Sequence, residues 1–132
     1  MTVSVLIWVA CGCLTLTALP HASDRNPSYL RAAELLRPAT AGATPRVRFE
    51  WEHVPGARRY VLRGRWTDGQ SWAVRSAEYG VTARNATSWE RDRVTFDVSL
   101  PAGAHSWNIV ALFGPEERGD FASPAHLSFT LR

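Results

Sequence analysis

Apolar and polar residues alternate with a period of two along most of the chain beyond Pro45. Val47, Phe49 and Trp51 alternate with charged residues, which is the pattern of a β-strand with one buried face. The same alternation recurs in later segments, at 59–66, 94–98, 107–111 and 127–131. Turn-forming residues separate these segments. Short strands at such spacing predict an all-β chain folded as an antiparallel β-sandwich.

The alternation also assigns residues to the buried face. We expect the following side chains between two sheets: Trp51, Tyr60, Leu62, Val98, Trp107, Ile109 and Phe129. After the second segment, Thr67-Asp-Gly-Gln70 predicts a two-residue hairpin turn, because Asp68-Gly69 tolerates the positive φ angles of a type I′ turn. Trp72 and Val74 are then expected on the returning strand.

The N-terminus has a different pattern, because no charged residue precedes Asp24. Residues 3–19 are apolar or small and end at Pro20, a length that suffices for a membrane-spanning helix. An uncleaved anchor fits this length best. A cleaved leader and a lipid anchor at Cys13 stay open as alternatives. We therefore expect an apolar N-terminal helix that contacts the lipid bilayer through residues 3–19.

Three regions follow from these patterns. Residues 1–21 form the apolar anchor or signal segment, 22–33 form a polar tether, and 34–132 form the β-sandwich. Within the tether, Asn26-Pro27 has the composition that begins a short helix running to Leu36.

Composition narrows the chemistry. The chain has 15 basic and 12 acidic residues, and every basic residue is Arg, which indicates GC-rich bacterial coding. Without Lys, no Schiff base is available. The interleaved acids argue against nucleic acid as a partner. Both cysteines, Cys11 and Cys13, lie in the apolar segment, so the sandwich has no thiol chemistry.

Two segments resemble a known family. Phe49-Glu-Trp51-Glu-His-Val-Pro-Gly-Ala57-Arg-Arg-Tyr60-Val-Leu62 resembles strands B and C of a fibronectin type III domain, an immunoglobulin-like fold. Leu100-Pro-Ala-Gly103-Ala-His-Ser-Trp107-Asn-Ile-Val-Ala111 resembles the entry of that family into strand F. The resemblance covers about residues 34–132, with Leu36-Arg-Pro38 as strand A. It implies a fold and leaves the function open.

Two positions depart from the family pattern. Trp107 stands where the family has a corner tyrosine, so the hydroxyl-to-backbone bond of that tyrosine is absent or replaced. The stretch Ala77–Asp92 is longer than the usual connection before strand E.

No group of residues predicts catalysis. The four histidines are scattered, and Glu50 and Glu52 fall on a strand face expected to meet solvent. We expect no enzyme activity, no cofactor, no metal and no small-molecule substrate. Asn85-Ala-Thr87 is a glycosylation sequon, which has meaning only in a glycosylating compartment. Arg118-Gly-Asp120 matches an integrin-binding tripeptide, although a plain tight turn at Gly119-Asp120 is the favoured explanation.

Arginine and tryptophan together mark a candidate protein-binding surface. Arg59, Arg63 and Arg65 should point outward from one strand, because Tyr60 and Leu62 point inward. The hairpin adds Trp66 or Trp72 as an apolar anchor, and Arg118 is the next candidate. Glu50 and Glu52 could neutralise the arginines from a neighbouring strand.

These observations predict a non-enzymatic, membrane-tethered interaction module. We expect it to be an accessory or extrinsic structural subunit that docks on other membrane or envelope proteins and stabilises a larger assembly, for example an energy-transducing complex. The alternative is a secreted carbohydrate-binding or surface-adhesion module. A row of coplanar exposed aromatic rings would favour sugar, whereas a mixed arginine and aromatic patch would favour protein docking.

The expected location is the extracytoplasmic, periplasmic side of a membrane, or outside the cell if the leader is cleaved. The arginines that follow the apolar segment, Arg25, Arg31 and Arg37, instead favour the cytoplasmic side by the positive-inside rule.

Overall fold

The computed structural model describes residues 25–36, 44–68, 72–114 and 119–132. The strands are β1 (Leu30–Leu36), β2 (Arg46–Glu52), β3 (Arg59–Thr67), β4 (Val74–Val81), β5 (Ser88–Trp89), β6 (Arg93–Ser99), β7 (Gly103–Leu112) and β8 (Ala125–Leu131). The first sheet has the order β1-β2-β6-β5 and the second sheet the order β4-β3-β7-β8. All pairings are antiparallel. The predicted all-β, two-sheet fold is confirmed, and it is compatible with an immunoglobulin-like or fibronectin-type sandwich.

The core lies between the two sheets, as the alternation predicts. Six of the seven predicted core residues are buried, and Phe129 is partly buried against them. Trp51 and Trp107, one from each sheet, are the largest fully buried side chains. The predicted strand faces of β2, β3 and β7 are therefore correct.

Trp107 occupies the centre of this core, where its indole covers the backbone of Gly64. Gly64 lies opposite Trp107 in the pairing of β3 with β7. A Cβ atom at Gly64 would collide with Cδ2, Cε2 and Cε3 of the indole, so only glycine leaves room for the ring. Further rings surround it: Phe49 at 4.9 Å, Trp66 at 6.1 Å and Tyr79 at 6.2 Å between centroids.

A hydrogen-bond relay also holds Trp107. Its Nε1–H donates to Nδ1 of His105 at 3.1 Å, so the proton of this imidazole lies on Nε2. Nε2 in turn donates to the Pro101 carbonyl at 2.9 Å. The relay connects the indole N–H of Trp107 to the backbone just before β7.

The predicted short helix from Asn26-Pro27 to Leu36 is wrong, because Leu30–Leu36 forms strand β1. Leu30 pairs with Trp51 and is buried, and Ala32 packs against the core. Pairing with β2 therefore outweighs the local helix-start signal of Asn26-Pro27. Strand β1 begins within the segment predicted as a tether.

The predicted two-residue turn at Asp68-Gly69 is also wrong. Thr67 pairs with Val74, and the Asp68 amide donates to the Ala73 carbonyl at 3.0 Å, so the connection is longer. Trp72 lies in this connection with a φ of 60° and does not belong to the returning strand. Strand β4 then extends to Val81 and takes up the first five residues of the stretch Ala77–Asp92.

The apolar N-terminal segment and its three predicted fates lie outside the described residues. Within the ranges that the structure describes, no helix is long and apolar enough to cross a membrane.

Replacing Gly64 by Ala tests the close contact between the Trp107 indole and the Gly64 backbone. The added methyl group must displace the indole, and overpacking of this kind costs about 1–3 kcal/mol of unfolding free energy. Gly80→Ala on the neighbouring strand is the matched control, because the nearest atom to its Cβ is Arg59 Cδ at 3.8 Å. Chemical denaturation checks both variants. Equal stability of Gly64→Ala and Gly80→Ala would contradict the close contact.

Stability should fall as the pH drops below about 6.5. Burial lowers the pKa of His105, so the unfolded chain binds a proton at a pH where the folded chain does not. Protonation of Nδ1 would also remove the acceptor of the Trp107 bond. Thermal unfolding between about pH 8 and pH 5 should give a steeper fall in Tm for the wild type than for His105→Gln. Burial also lowers the pKa of His53, so His105→Gln should keep part of the fall in Tm with decreasing pH. An equal fall in Tm for the wild type and His105→Gln would contradict the role of His105.

Candidate functional site

On the outer face of the first sheet, arginines form ion pairs with acidic side chains. Asp97 accepts hydrogen bonds from Arg48 at 2.9 and 3.2 Å and lies 3.8 Å from Arg46. Further pairs join Glu50 to Arg31 and Arg93, and Glu90 to Arg93. Glu50 and Glu52 belong to β2 of this sheet, so they do not neutralise the arginines of β3.

The outer face of the second sheet carries Arg63 and Arg65 of β3. Among the described residues, neither of them forms an ion pair, in contrast to the arginines of the first sheet. Glu78 lies opposite Arg63 in the register of β4 with β3, and the two side chains are not paired. The outer face of the second sheet therefore presents two arginines that have no ion-pair partner in the described part of the chain.

Arg59 lies on the same face at the far end of β3 and is partly buried. Between Arg59 and Arg63, Val61 is also buried, although it points away from the main core. It forms a small second cluster with Val110 and Leu112 of β7. The backbone of Gly119 packs on Val110 and Leu112, so the connection from β7 to β8 covers this end of the face.

The same connection brings Phe121 to the arginines. The Arg63 guanidinium carbon lies 4.6 Å from the Phe121 ring centroid, a cation–π contact. Phe121 remains 44% exposed. Nothing in the sequence pattern predicts this contact, because strand alternation does not determine the path of a loop.

The two candidate tryptophans lie in different parts of the structure. Trp66 points into the sandwich and stacks on His105 and Trp107, so it does not belong to the outer face. Trp72 is 81% exposed at the β3–β4 connection, and the neighbouring Val74 is 65% exposed. Trp72, Val74, Arg65, Arg63 and Phe121 form what we call the arginine face.

The middle of the arginine face holds two adjoining depressions. A depression of about 680 Å³ lies between Arg63, Arg65, Asn108 and His126. A second of about 570 Å³ adjoins it at Arg65 and extends to Val74. Small hydroxyl side chains line both of them, with Ser106 hydrogen-bonded to His126 at 2.8 Å.

Arg118 lies outside the described residues. The rest of its tripeptide forms a tight turn, in which the Ala122 amide donates to the Asp120 carboxylate at 3.0 Å. Asn85 of the sequon likewise stabilises a turn. Its side chain accepts from the Thr82 amide at 2.7 Å and donates to the Gly80 carbonyl at 2.8 Å. Asp120 and Asn85 thus each stabilise a turn of the folded chain.

The residues before β1 clamp the end of the sandwich near the β7–β8 connection. The Asn26 amide donates to the carbonyls of Asp120 and Ser123, and its oxygen accepts from the Ala111 amide at 3.0 Å. Arg25 contacts both carboxylate oxygens of Glu52, at 2.8 and 3.1 Å. These hydrogen bonds lower the pKa of Glu52 to about 2, so the pair stays charged at neutral pH.

A buried tyrosine is the other notable polar group. The Tyr60 hydroxyl accepts from the Val54 amide at 2.7 Å and forms a second hydrogen bond with Nδ1 of His53 at 2.8 Å. Burial raises the pKa of Tyr60 to about 12, so it stays protonated and connects the β2–β3 turn to the core. Over the described ranges, no group of three metal-ligating side chains lies together.

In comparisons with known proteins, no protein-family model matches the chain, and no curated protein matches it significantly. The chain is an all-β protein of two antiparallel sheets. The outer face of the first sheet carries ion pairs, and the outer face of the second sheet is the arginine face.

Replacing Asn26 by Ala should loosen the clamp. The change removes three hydrogen bonds and leaves the Ala111 amide without its acceptor, which costs about 2 kcal/mol of unfolding free energy. Asn108→Ala is the matched control, because the Asn108 Oδ1 has no hydrogen-bond partner among the described residues. Chemical denaturation compares the two variants. Equal losses would contradict the role assigned to Asn26.

Proposed function

We propose that this chain is a non-enzymatic, fibronectin type III-like interaction module that docks on an acidic protein surface through the arginine face. The observation that carries the proposal is the unequal distribution of charge. The acids of the first sheet pair with its arginines, and Arg63 and Arg65 on the second sheet keep no such partner in the described part of the chain.

Arginine suits this role because its planar guanidinium can bind a carboxylate at two points. Residues two apart on a strand lie about 7 Å apart, so Arg63 and Arg65 can contact neighbouring carboxylates of one partner. An exposed arginine that is already paired gains little from a new partner, whereas these two have no ion pair within the described ranges to lose on docking.

Apolar side chains at both ends of the arginine face add to the binding that the arginines provide. Trp72 and Val74 are exposed beyond Arg65, and Phe121 is exposed beside Arg63. Aromatic residues next to arginine are typical of the residues that dominate binding energy at protein interfaces. An interface with another protein can bury the apolar side chains and pair the arginines at the same time.

The alternative, a carbohydrate-binding or adhesion module, requires a flat row of exposed rings. Among the described residues, the exposed large aromatic side chains are Trp72 and Phe121, and the Arg63 guanidinium lies over the Phe121 ring. This mixed patch favours a protein partner over a sugar.

We further propose that residues 3–19 hold the module at a membrane, on its extracytoplasmic side, as an accessory subunit of a larger envelope assembly. The length of the apolar stretch supports an anchor. The clamp supports close attachment, because Arg25 and Asn26 are already bound to the sandwich and leave few residues for a tether. Secretion after cleavage of the leader is the alternative location.

The test is recovery of partner proteins from detergent-solubilised native membranes by affinity purification and quantitative mass spectrometry. Arg63→Ser combined with Arg65→Ser should lower partner recovery about tenfold, since the lost pairs correspond to about 1.4 kcal/mol, while Tm stays unchanged. Arg84→Ser combined with Arg91→Ser is the matched control, because it removes the same charge from two exposed loop positions. This control should recover the partners as the wild type does.

Unchanged recovery by the Arg63 and Arg65 variant would contradict docking through the arginine face. An equal loss in both double variants would also contradict it, because it would show that net charge alone governs binding.

A further inference from the structure

Strand β4 is the terminal strand of the second sheet and pairs with β3 on one side only. The other terminal strands are shielded or short. β1 and β8 pack against each other across one side of the sandwich, and β5 has two residues. Among the described strands, β4 therefore presents the long open edge, and such an edge can pair with a further strand.

Flanking hydrogen bonds show which backbone groups of β4 point to this open edge. Residues of an antiparallel strand alternate between bonding to the neighbour and pointing away from it. The Ala73 carbonyl accepts from Asp68, so odd-numbered positions bond towards β3. The Gly80 carbonyl accepts from the Asn85 side chain, so even-numbered positions point away. The amides and carbonyls of Val74, Ser76 and Glu78 consequently point to the open edge.

We propose that β4 pairs in antiparallel fashion with β4 of a second copy of this chain, with Ser76 opposite Ser76 about a two-fold axis. In this register Val74 of each copy lies opposite Glu78 of the other. All three edge-pointing residues of both copies then bond across the interface, and the two second sheets join into one continuous sheet.

Neighbouring registers are less favourable. A shift that places Val74 opposite Gly80 meets a carbonyl that already accepts from Asn85. A shift of one residue would put the inner face of one copy beside the outer face of the other. The Ser76 register also avoids opposing like charges, because Arg75 lies opposite Ala77 and Glu78 opposite Val74.

Cysteine cross-linking tests the register. In a full-length chain with Cys11→Ser and Cys13→Ser, Ser76→Cys should form a disulfide-linked dimer on mild oxidation, because residues opposite each other lie about 5.5 Å apart between Cα atoms. Glu78→Cys is the matched control. Its two copies would lie roughly 13 Å apart, beyond disulfide reach, and should stay monomeric on a non-reducing gel. Cross-linking at Glu78 with none at Ser76 would overturn the register, and equal cross-linking of both would show random collisions and overturn it as well.

A backbone variant tests the pairing itself. Ser76→Pro removes the edge-pointing amide and leaves the bonds to β3 in place, while Ser76→Ala keeps the amide and removes only the hydroxyl. Light scattering of the full chain in detergent should give twice the monomer protein mass for the wild type and Ser76→Ala, and the monomer mass for Ser76→Pro with a similar Tm. A monomeric wild type would overturn the proposal. So would a Ser76→Pro dimer, which would place association at another surface such as the apolar N-terminus.

Discussion

The contact of the Trp107 indole with the Gly64 backbone organises this fold. A large ring from β7 lies flat on a strand position that has no side chain, and rings from both sheets close around it. The relay through His105 to the Pro101 carbonyl satisfies the indole N–H within the core. Because this arrangement exists in one register only, it fixes β3 against β7.

The fixed register determines the surface. With Gly64 and Trp66 turned towards Trp107, Arg63 and Arg65 must point outward from the same strand. The acids of β2 and β6 lie on the opposite outer face and pair there. The core therefore separates a face whose charges form ion pairs from a face whose arginines, among the described residues, form none. The β7–β8 connection, which Asn26 holds in place, limits this face at Phe121.

Strand alternation predicted the core because burial is its direct cause: Trp51, Tyr60 and Trp107 are fully buried as expected. It did not predict β1, since the pairing of Leu30 with Trp51 depends on residues distant in sequence. For the same reason the alternation did not predict that Val61 is buried or that Phe121 contacts Arg63. The outward arginines were placed on the correct face, whereas Trp66 faces the core.

Arginine-selective chemical labelling, read out by mass spectrometry, tests docking through the arginine face most directly. The wild-type protein is labelled once in intact membranes and once after purification. We expect Arg63 and Arg65 to be protected in membranes and reactive after purification, while Arg46 and Arg48 of the first sheet react to the same extent in both states. Equal reactivity of Arg63 and Arg65 in the two states, or protection confined to Arg46 and Arg48, would contradict docking through this face.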